Sequence, residues 1–220
     1  MINIAIDGPA GAGKSTIAKE VAKRLQFIYV DTGALYRAVG LYAVRSGVET
    51  TDKEKVTNLL PNIDISLKFV NSEQRVFLNG EDVSTDIRLP EISMAASNVS
   101  AIPTVREFLF DLQRKLAREN NVIMDGRDIG TVVLPSAQVK IFLTASPEER
   151  ARRRKEQLEL AGNVVDYDKL LEEIKQRDYN DSHREIAPLK PAEDSVTIDT
   201  TGNELEQSIE LLYNHIKTRI

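Results

Sequence analysis

Strands and helices alternate in the pattern of apolar and polar positions along most of the chain. Ile4 and Ile6 indicate a short buried strand, and residues 16–25 carry apolar side chains at helical spacing. A second strand at 27–30 and a helix at 35–43 follow. The same analysis predicts strands at 122–124, 139–143 and 196–199, and helices from 52 to before 61 and at 91–100, 104–119, 147–160, 167–179 and 204–216. Such alternation favours an α/β fold with a five-stranded parallel sheet flanked by helices.

Between residues 63 and 88 the pattern is different. Residues 63–69 and 75–78 alternate apolar and polar side chains, which is typical of strands with one face in water. Asn79-Gly80 is a strong signal for a tight turn between two antiparallel strands. The sequence therefore predicts a small antiparallel β insert at 63–88.

The segment after the first strand carries a phosphate-binding signature. Residues 8–15 fit G-x-x-x-x-G-K-[ST] between a strand and a helix. Its glycines let main-chain N–H groups point at phosphate oxygens, and the helix start adds a positive end. Lys14 would reach the β- and γ-phosphates, and the Ser15 hydroxyl would bind Mg²⁺. A glycine-rich turn that binds nothing is the alternative. The residues expected to hold ATP are Gly8, Pro9, Ala10, Gly11, Ala12, Gly13, Lys14, Ser15 and Thr16.

Composition narrows the possible classes of function. The 220 residues are 41% hydrophobic and 29% charged, as in an ordinary globular protein, and 220 residues suit one compact domain. A net charge of −5 argues against broad nucleic-acid binding. There is no cysteine and there are two histidines, which disfavours a zinc site and indicates a reducing compartment. No apolar run approaches 18 residues and no leader pattern is present, so we expect a cytoplasmic protein without a membrane span.

Arginines crowd the predicted helix at 147–160. Arg150 repels Arg153 and Arg154 across one helical turn unless an anion lies between them, although nearby glutamates offset part of this repulsion. One interpretation is a solvated charged face, and a nucleic-acid patch is a weaker one. The third interpretation is that the arginines close over a polyphosphate and neutralise the charge of the transferred group.

Four further arginines extend the third interpretation. Arg177 and Arg184 are seven residues apart and share a helix face if the helix persists that far. Arg37 and Arg106 are expected on the other side of the cleft. Each one alone is typical of a surface ion pair, whereas together they could bind two phosphate-bearing molecules.

Four segments resemble bacterial cytidylate (CMP) kinases and occur in that family's order. They are residues 4–16, Asp-Thr-Gly-Ala-Leu-Tyr-Arg at 31–37, Asp-Gly-Arg-Asp-Ile-Gly-Thr at 125–131, and 177–189. Relatives carry Ser where this chain has Thr32, and the hydroxyl is kept. The resemblance covers nearly the whole chain and implies one P-loop kinase domain and a monomer. Its expected parts are a core at 1–62 and 104–220, an inserted monophosphate-binding subdomain at about 63–103, and a helical lid at about 147–165.

The resemblance also implies the roles of individual residues. CMP would be contacted at its phosphate by Arg37, Arg127 and Arg184, at its base by Ser97, Arg106 and Asp128, and at or near its sugar by Asp31, Thr32, Arg177 and Asp181. The groups expected to act on the transferred phosphoryl are Lys14, Arg127, Arg150, Arg154 and Arg184. Mg²⁺ would bind Ser15, and Asp125 would either assist through a water or cap an element.

Elementary chemistry supports the assignment of the base. Cytosine presents an N4 donor beside the N3 and O2 acceptors, so Asp128 can accept from N4 while Arg106 donates to N3 or O2. Ser97 can serve either need. Uracil would place its O4 carbonyl against the carboxylate, and unpaired buried polar groups discriminate strongly. The alternative is that Asp128 only forms a salt bridge with Arg106 or Arg127.

The expected reaction converts MgATP and CMP or dCMP into ADP and CDP or dCDP by in-line transfer. The acceptor is already an anion, so positioning and charge neutralisation suffice. We expect negligible ATP hydrolysis without CMP. The alternatives are another P-loop kinase, acting on UMP, AMP or a metabolite such as shikimate, and a GTP-dependent switch. A switch should carry Asn-Lys-x-Asp, which the sequence lacks.

Overall fold

A parallel sheet of five strands forms the centre of the computed structural model, which describes residues 1–70 and 73–220. The described residues form eight strands in all, five in this main sheet and three in a smaller one. They are β1 (Asn3–Asp7), β2 (Ile28–Asp31), β3 (Ile65–Val70), β4 (Glu73–Leu78), β5 (Glu81–Asp82), β6 (Val122–Gly126), β7 (Val139–Thr144) and β8 (Val196–Asp199). The main sheet has the order β2-β6-β1-β7-β8, and each neighbouring pair is parallel. The predicted five-stranded parallel sheet is confirmed.

Eight α-helices accompany the strands in the described part of the chain. They are α1 (Lys14–Leu25), α2 (Thr32–Arg45), α3 (Lys53–Leu59), α4 (Pro90–Ser100), α5 (Pro103–Glu119), α6 (Pro147–Leu160), α7 (Tyr167–His183) and α8 (Leu205–Lys217). The side chains of Asp31, Asp52 and Ser146 accept main-chain hydrogen bonds at the starts of α2, α3 and α6. These caps satisfy amide groups that have no partner within the helix.

The predicted end of α7 at residue 179 is wrong, because the helix continues to His183. The ring of His183 stacks on that of Tyr179 one turn earlier, and Ser182 donates back to the Asp178 carbonyl. Arg184 follows in an extended conformation. Arg177 and Arg184 therefore do not share one continuous helix face. A shared face required the helix to persist to residue 184, and it ends one residue earlier.

Both faces of the main sheet are buried, and alternate residues of β1 face opposite layers. Ile4 and Ile6 pack with α1 and α8, while Ala5 belongs to the cluster that includes Val30 and Met124. A further apolar cluster joins α2, α4 and α5 to the β insert. Helices cover both faces at the centre of the sheet, where β1 and β6 are buried on both sides, whereas only Ile198 of the edge strand β8 is buried.

The insert forms a separate antiparallel sheet in the order β3-β4-β5. Asn79 and Gly80 both have positive φ, as a tight two-residue hairpin turn requires, and the predicted turn is confirmed. The insert contacts the edge of the main sheet, where the Gln74 amide accepts from the Asp31 N–H (3.0 Å) and donates to its carbonyl (3.3 Å). Residues 71 and 72 of the predicted insert lie outside the described residues.

The carboxyl ends of the parallel strands meet along one edge of the main sheet. β1 ends at Asp7, β2 ends at the start of α2, and β6 leads through residues 127–128 into a π-helical turn at Ile129–Val133. Among residues 1–70 and 73–220, no helix has both the length and the apolar character needed to cross a bilayer. In open α/β sheets, ligands bind at this carboxyl edge.

Candidate active site

The phosphate loop leaves β1 in a conformation that glycine alone accommodates. Gly8 has a φ of 147°, and a Cβ there would lie 1.9 Å from the carbonyl oxygen of Leu143. Gly11 and Gly13 also have positive φ, at 77° and 87°. The chain curls at these three positions and enters α1 at Lys14. Main-chain N–H groups in such a concave loop form an anion-binding nest.

Lys14 lies inside the loop, with 6% of its surface exposed. Its Nζ donates to the carbonyl of Pro9 at 2.8 Å. The pKa of Lys14 is lowered to about 7, mainly by burial and also by the positive charges of Arg127 and Arg177, while the charge of Asp125 opposes the shift. An anion bound in the loop would favour the charged ammonium group.

Ser15 and Asp125 bring oxygen atoms together beside the loop. The Ser15 hydroxyl donates to Asp125 at 3.0 Å, and the Tyr29 hydroxyl donates to the other carboxylate oxygen at 2.9 Å. Burial raises the pKa of Asp125 to about 6, and the Asp31 charge adds to the increase. Within the described residues, no group of three or more acidic, cysteine or histidine side chains could hold a metal. The two oxygens suit Mg²⁺, which commonly takes its remaining ligands from phosphates and water.

Asp128 lies between two arginines on the other side of the cleft. Its carboxylate pairs with Arg106 from α5, and its second oxygen lies 3.4 Å from Arg184. Arg106 also donates to the carbonyl of Ser100 and Arg184 to its hydroxyl, each at 3.4 Å. Ser97 lies half-buried on α4, the helix that also carries Ser100, and its carbonyl accepts from the Ser100 hydroxyl. The structure thus contains the Arg106 salt bridge that was the alternative for Asp128.

The other predicted acceptor arginines converge near this group. Arg127 pairs with Asp181 at 2.9 Å rather than with Asp128. Arg37 and Arg177 both donate to the Ser93 hydroxyl, at 3.4 and 2.8 Å. The Nε atom of Arg177 is buried and has no hydrogen-bond partner. Burial lowers the pKa of Arg177 to about 10, and the nearby charge of Arg127 contributes. Such crowding of cations favours an anionic ligand.

Asp31 and Thr32 lie where β2 passes into α2. One oxygen of Asp31 caps the N–H of Ala34 at 3.0 Å, and the other pairs with Arg88 at 2.8 Å. The Thr32 hydroxyl donates to the main-chain carbonyl of Asp125 at 2.7 Å. These contacts join the acceptor side of the cleft to the strand that carries Asp125.

Arg150 on α6 is placed against the phosphate loop. Its guanidinium binds both oxygens of Asp178, at 3.0 and 2.5 Å, and donates to the carbonyl of Ala10 at 3.0 Å. Arg154 donates to Gln157 at 2.7 Å. Burial lowers the pKa of Arg37; the charge of Asp31 opposes this, while the charges of Arg88, Arg154 and Arg127 act in the same direction as burial.

The remaining arginines of α6, Arg152 and Arg153, are paired with glutamates of the same helix. Arg152 pairs with Glu149 and Glu156, and Arg153 pairs with Glu149 and donates to the Thr200 carbonyl. Carboxylates therefore neutralise two of the crowded charges. The interpretation as a solvated face describes Arg152, which is exposed. Arg153 is partly buried, and one of its guanidinium nitrogens lies 3.9 Å from where a Cβ on Gly13 would be, while Arg150 contacts the phosphate loop at Ala10.

Several groups in the cleft were not assigned a site role from the sequence. They are Tyr29, Arg88, Ser93, Ser100, Gln113 and Asp178. Gln113 is 1% exposed, and neither atom of its amide has a hydrogen-bond partner. It lies two helical turns after Arg106, so the helical spacing of α5 could have indicated it. Ser93 and Ser100 likewise share a face of α4 by their spacing of seven residues.

Known proteins resemble this chain in sequence and in fold. A family model described as cytidylate kinase matches residues 4–218. A cytidylate kinase of Caldicellulosiruptor bescii is 53% identical over 100% of this chain and 99% of its own length. A cytidylate kinase of Leuconostoc mesenteroides is 48% identical over 99% and 97% of the two chains. The crystal structure of an uncharacterised protein from Eubacterium ventriosum shares the fold at 15% identity, with a TM-score of 0.53 and complete coverage of both chains. By sequence, over nearly its whole length, the chain belongs to the cytidylate kinase family.

Proposed function

We propose that the protein transfers the γ-phosphoryl group of MgATP to CMP or dCMP, releasing ADP and CDP or dCDP. The observation that carries this proposal is the buried Asp128 carboxylate held between Arg106 and Arg184, across the cleft from a complete phosphate loop. A carboxylate with guanidinium groups beside it supplies the acceptor and donors that the edge of cytosine needs.

In the proposed base pocket, Asp128 accepts from the cytosine N4 amino group. Arg106 donates to N3 or O2, and Ser97 completes the set. Because the Arg106–Asp128 pair exists without substrate, little reorganisation is needed when the base enters. Uracil would leave Asp128 facing a carbonyl, which gives the pocket its selectivity.

The acceptor phosphate would bind among Arg37, Arg127 and Arg184, with Asp31, Thr32, Arg177 and Asp181 placed near the sugar. Supporting this, Arg37 and Arg177 meet at one hydroxyl, and Asp181 already orients Arg127. The attacking oxygen belongs to a phosphate that is ionised at neutral pH. No side chain has to remove a proton, so these residues act by binding and orientation.

On the donor side, residues 8–16 would hold the ATP phosphates, and Lys14, Arg150 and Arg154 would face the charge of the transferred group together with Arg127 and Arg184. Phosphoryl transfer in this family requires a divalent cation. We propose Mg²⁺, with Ser15 as a ligand and Asp125 assisting through water. The metal supplies charge neutralisation at the β- and γ-phosphates.

We further propose that 63–103 acts as a monophosphate-binding subdomain within the core of 1–62 and 104–220, and that 147–165 acts as the lid. Arg150 on α6 and the contact of Gln74 with Asp31 support these roles. We propose that the protein acts as a monomer. Because ATP and CMP are metabolites of the cytoplasm, we propose that the protein acts there.

A coupled assay of ADP release tests the function directly. With MgATP, we expect turnover of CMP and dCMP, turnover of UMP and AMP lower by about 100-fold or more, and negligible ADP release without an acceptor. Turnover of AMP or shikimate above that of CMP would assign the chain to another P-loop kinase activity. Fast hydrolysis that is independent of any acceptor would contradict the proposed reaction.

A further inference from the structure

Asp7, the last residue of β1, lies between the phosphate loop and the proposed acceptor pocket, which consists of the side chains assigned to CMP around Arg106, Asp128 and Arg184. It is 4% exposed, and the next residue is Gly8 of the phosphate loop. One carboxylate oxygen accepts from the N–H of Ile129 and the other from the N–H of Gly130, each at 2.7 Å. Both amides belong to the turn that directly follows Asp128. Asp7 thus joins the end of β1 to a turn that lies more than 120 residues later in the chain.

The geometry around this carboxylate is tight. A Cβ on Gly130 would lie 3.3 Å from the nearer oxygen of Asp7 and 3.2 Å from the Cδ of Lys140. The absence of a side chain at Gly130 therefore lets the turn approach Asp7. Burial raises the pKa of Asp7 to about 6, while the two N–H groups and Lys14 favour the ionised form and Asp128 opposes it. At neutral pH the group is a carboxylate with an acceptor oxygen for each amide.

The turn that Asp7 holds is a π-helical segment, a form that occurs mostly as short pieces at functional sites. Asp128 precedes it with φ −149° and ψ 26°, and its side chain turns toward Arg106 and Arg184. The direction of the Asp128 carboxylate depends on the main chain on both sides of it. On its C-terminal side, that main chain is fixed by Asp7.

We infer that Asp7 is a positioning residue that fixes the pyrimidine-reading Asp128 relative to the phosphate loop. This inference rests on the proposed function. Asp7 itself touches neither nucleotide. Its effect is on the separation and orientation of the two substrates, to which in-line transfer is sensitive, since a displacement of about 1 Å can cost about 100-fold in rate.

Asp7→Asn is the direct test, because asparagine keeps the shape but presents an NH₂ group to one of the two N–H donors. We expect kcat/KM for CMP to fall about 30- to 100-fold and that for UMP to fall much less, so that the CMP-to-UMP ratio narrows about tenfold. Affinity for a non-hydrolysable ATP analogue, measured by calorimetry, should stay within about threefold. A purely structural role would lower all of these values together.

Gly130→Ala provides a second variant, because its methyl group displaces the turn from Asp7 without altering any carboxylate or the phosphate loop. It should show the same selective loss for CMP. Asp194→Asn is the matched control. It removes a carboxylate that accepts from the Lys140 ammonium group at 2.7 and 2.9 Å beneath the same turn. We expect it to leave the CMP-to-UMP ratio and the affinity for the ATP analogue unchanged.

The inference is overturned if folded Asp7→Asn or Gly130→Ala keeps the parent's CMP-to-UMP ratio, or if ATP-analogue affinity falls as much as CMP turnover. It is also overturned if neither variant folds by circular dichroism, since the role of Asp7 would then be structural. Failure of the proposed function is a separate outcome, in which the parent protein itself does not turn over CMP.

Discussion

The phosphate loop and the acceptor pocket face each other across the cleft but are built in opposite ways. The loop is one contiguous segment, residues 8–16, that offers main-chain N–H groups and one buried lysine. The pocket collects side chains from α2, α4, α5, α7 and the segment after β6. A site made of main chain recognises any polyphosphate, whereas a site made of paired side chains can recognise one base.

The two regions also differ in how their charges are balanced. Lys14 donates to a main-chain carbonyl, and burial lowers its pKa to about 7. In the pocket, Arg106 and Arg127 are each paired with a buried carboxylate. We therefore expect substitutions in the pocket to alter selectivity among acceptors, and we expect the loop to respond to pH through its lysine.

The largest effect should come from Asp128→Ala. Without the carboxylate, the pocket loses its acceptor for N4 and its repulsion of uracil O4, so the CMP-to-UMP ratio of kcat/KM should fall by about 100-fold or more. Steady-state kinetics with both acceptors measures the ratio, and ATP-analogue binding should change little. Asp128→Asn, which keeps the volume, is the control for cavity effects. An unchanged ratio in the alanine variant would show that the pocket does not recognise the base through Asp128.

An effect of intermediate size concerns pH and Lys14. In the free protein Lys14 loses its proton as the pH rises through about 7, whereas bound phosphate favours the ammonium form. ATP binding should therefore take up a proton above pH 7, and affinity should fall by up to about tenfold per pH unit between 7 and 9. Asp125, with a pKa of about 6, is already ionised in that range.

Calorimetry in buffers of different ionisation enthalpy measures this uptake. Lys14→Met should bind ATP weakly, without the pH slope above 7. If ATP affinity depends on pH equally in the parent and in Lys14→Met, a group other than Lys14 titrates in this range. The loop would then not differ from the pocket through its lysine.

The smallest effect is expected for Ser93→Ala, which removes the hydroxyl shared by Arg37 and Arg177. One lost hydrogen bond of this kind corresponds to about 3- to 10-fold. We expect KM for CMP to rise by that factor with kcat nearly unchanged. Ser182→Ala is the matched control, since its hydroxyl bonds to carbonyls of its own helix. A larger effect on kcat than on KM would mean that Ser93 acts on the transition state.

The same contrast explains what the sequence could predict. The phosphate loop was recognisable because its residues are consecutive and because its glycines allow the backbone conformation that the loop requires. The five-stranded sheet, the hairpin turn at Asn79-Gly80 and the start of α6 at Pro147 followed from local patterns and are confirmed.

The sequence was a poorer guide to which charged side chains form ion pairs. Asp128 was expected to meet Arg106 or Arg127 in the alternative interpretation, and the structure pairs it with Arg106 and Arg184. The partnership of Arg150 with Asp178 depends on how α6 packs against α7, which no local pattern specifies. The end of α7 was missed because a stacked Tyr179–His183 pair prolongs a helix without changing its apolar periodicity.

The hydrogen bonds between Gln74 and Asp31 affect how readily the protein can aggregate. β2 is an edge strand of the main sheet, and an unpaired edge can recruit a strand from another molecule. The Gln74 amide supplies the end of β2 with the donor and acceptor that such a strand would otherwise provide. The antiparallel insert therefore protects this end of β2 from pairing with a strand of another molecule, so a shortened insert would leave an unpaired strand edge that favours aggregation.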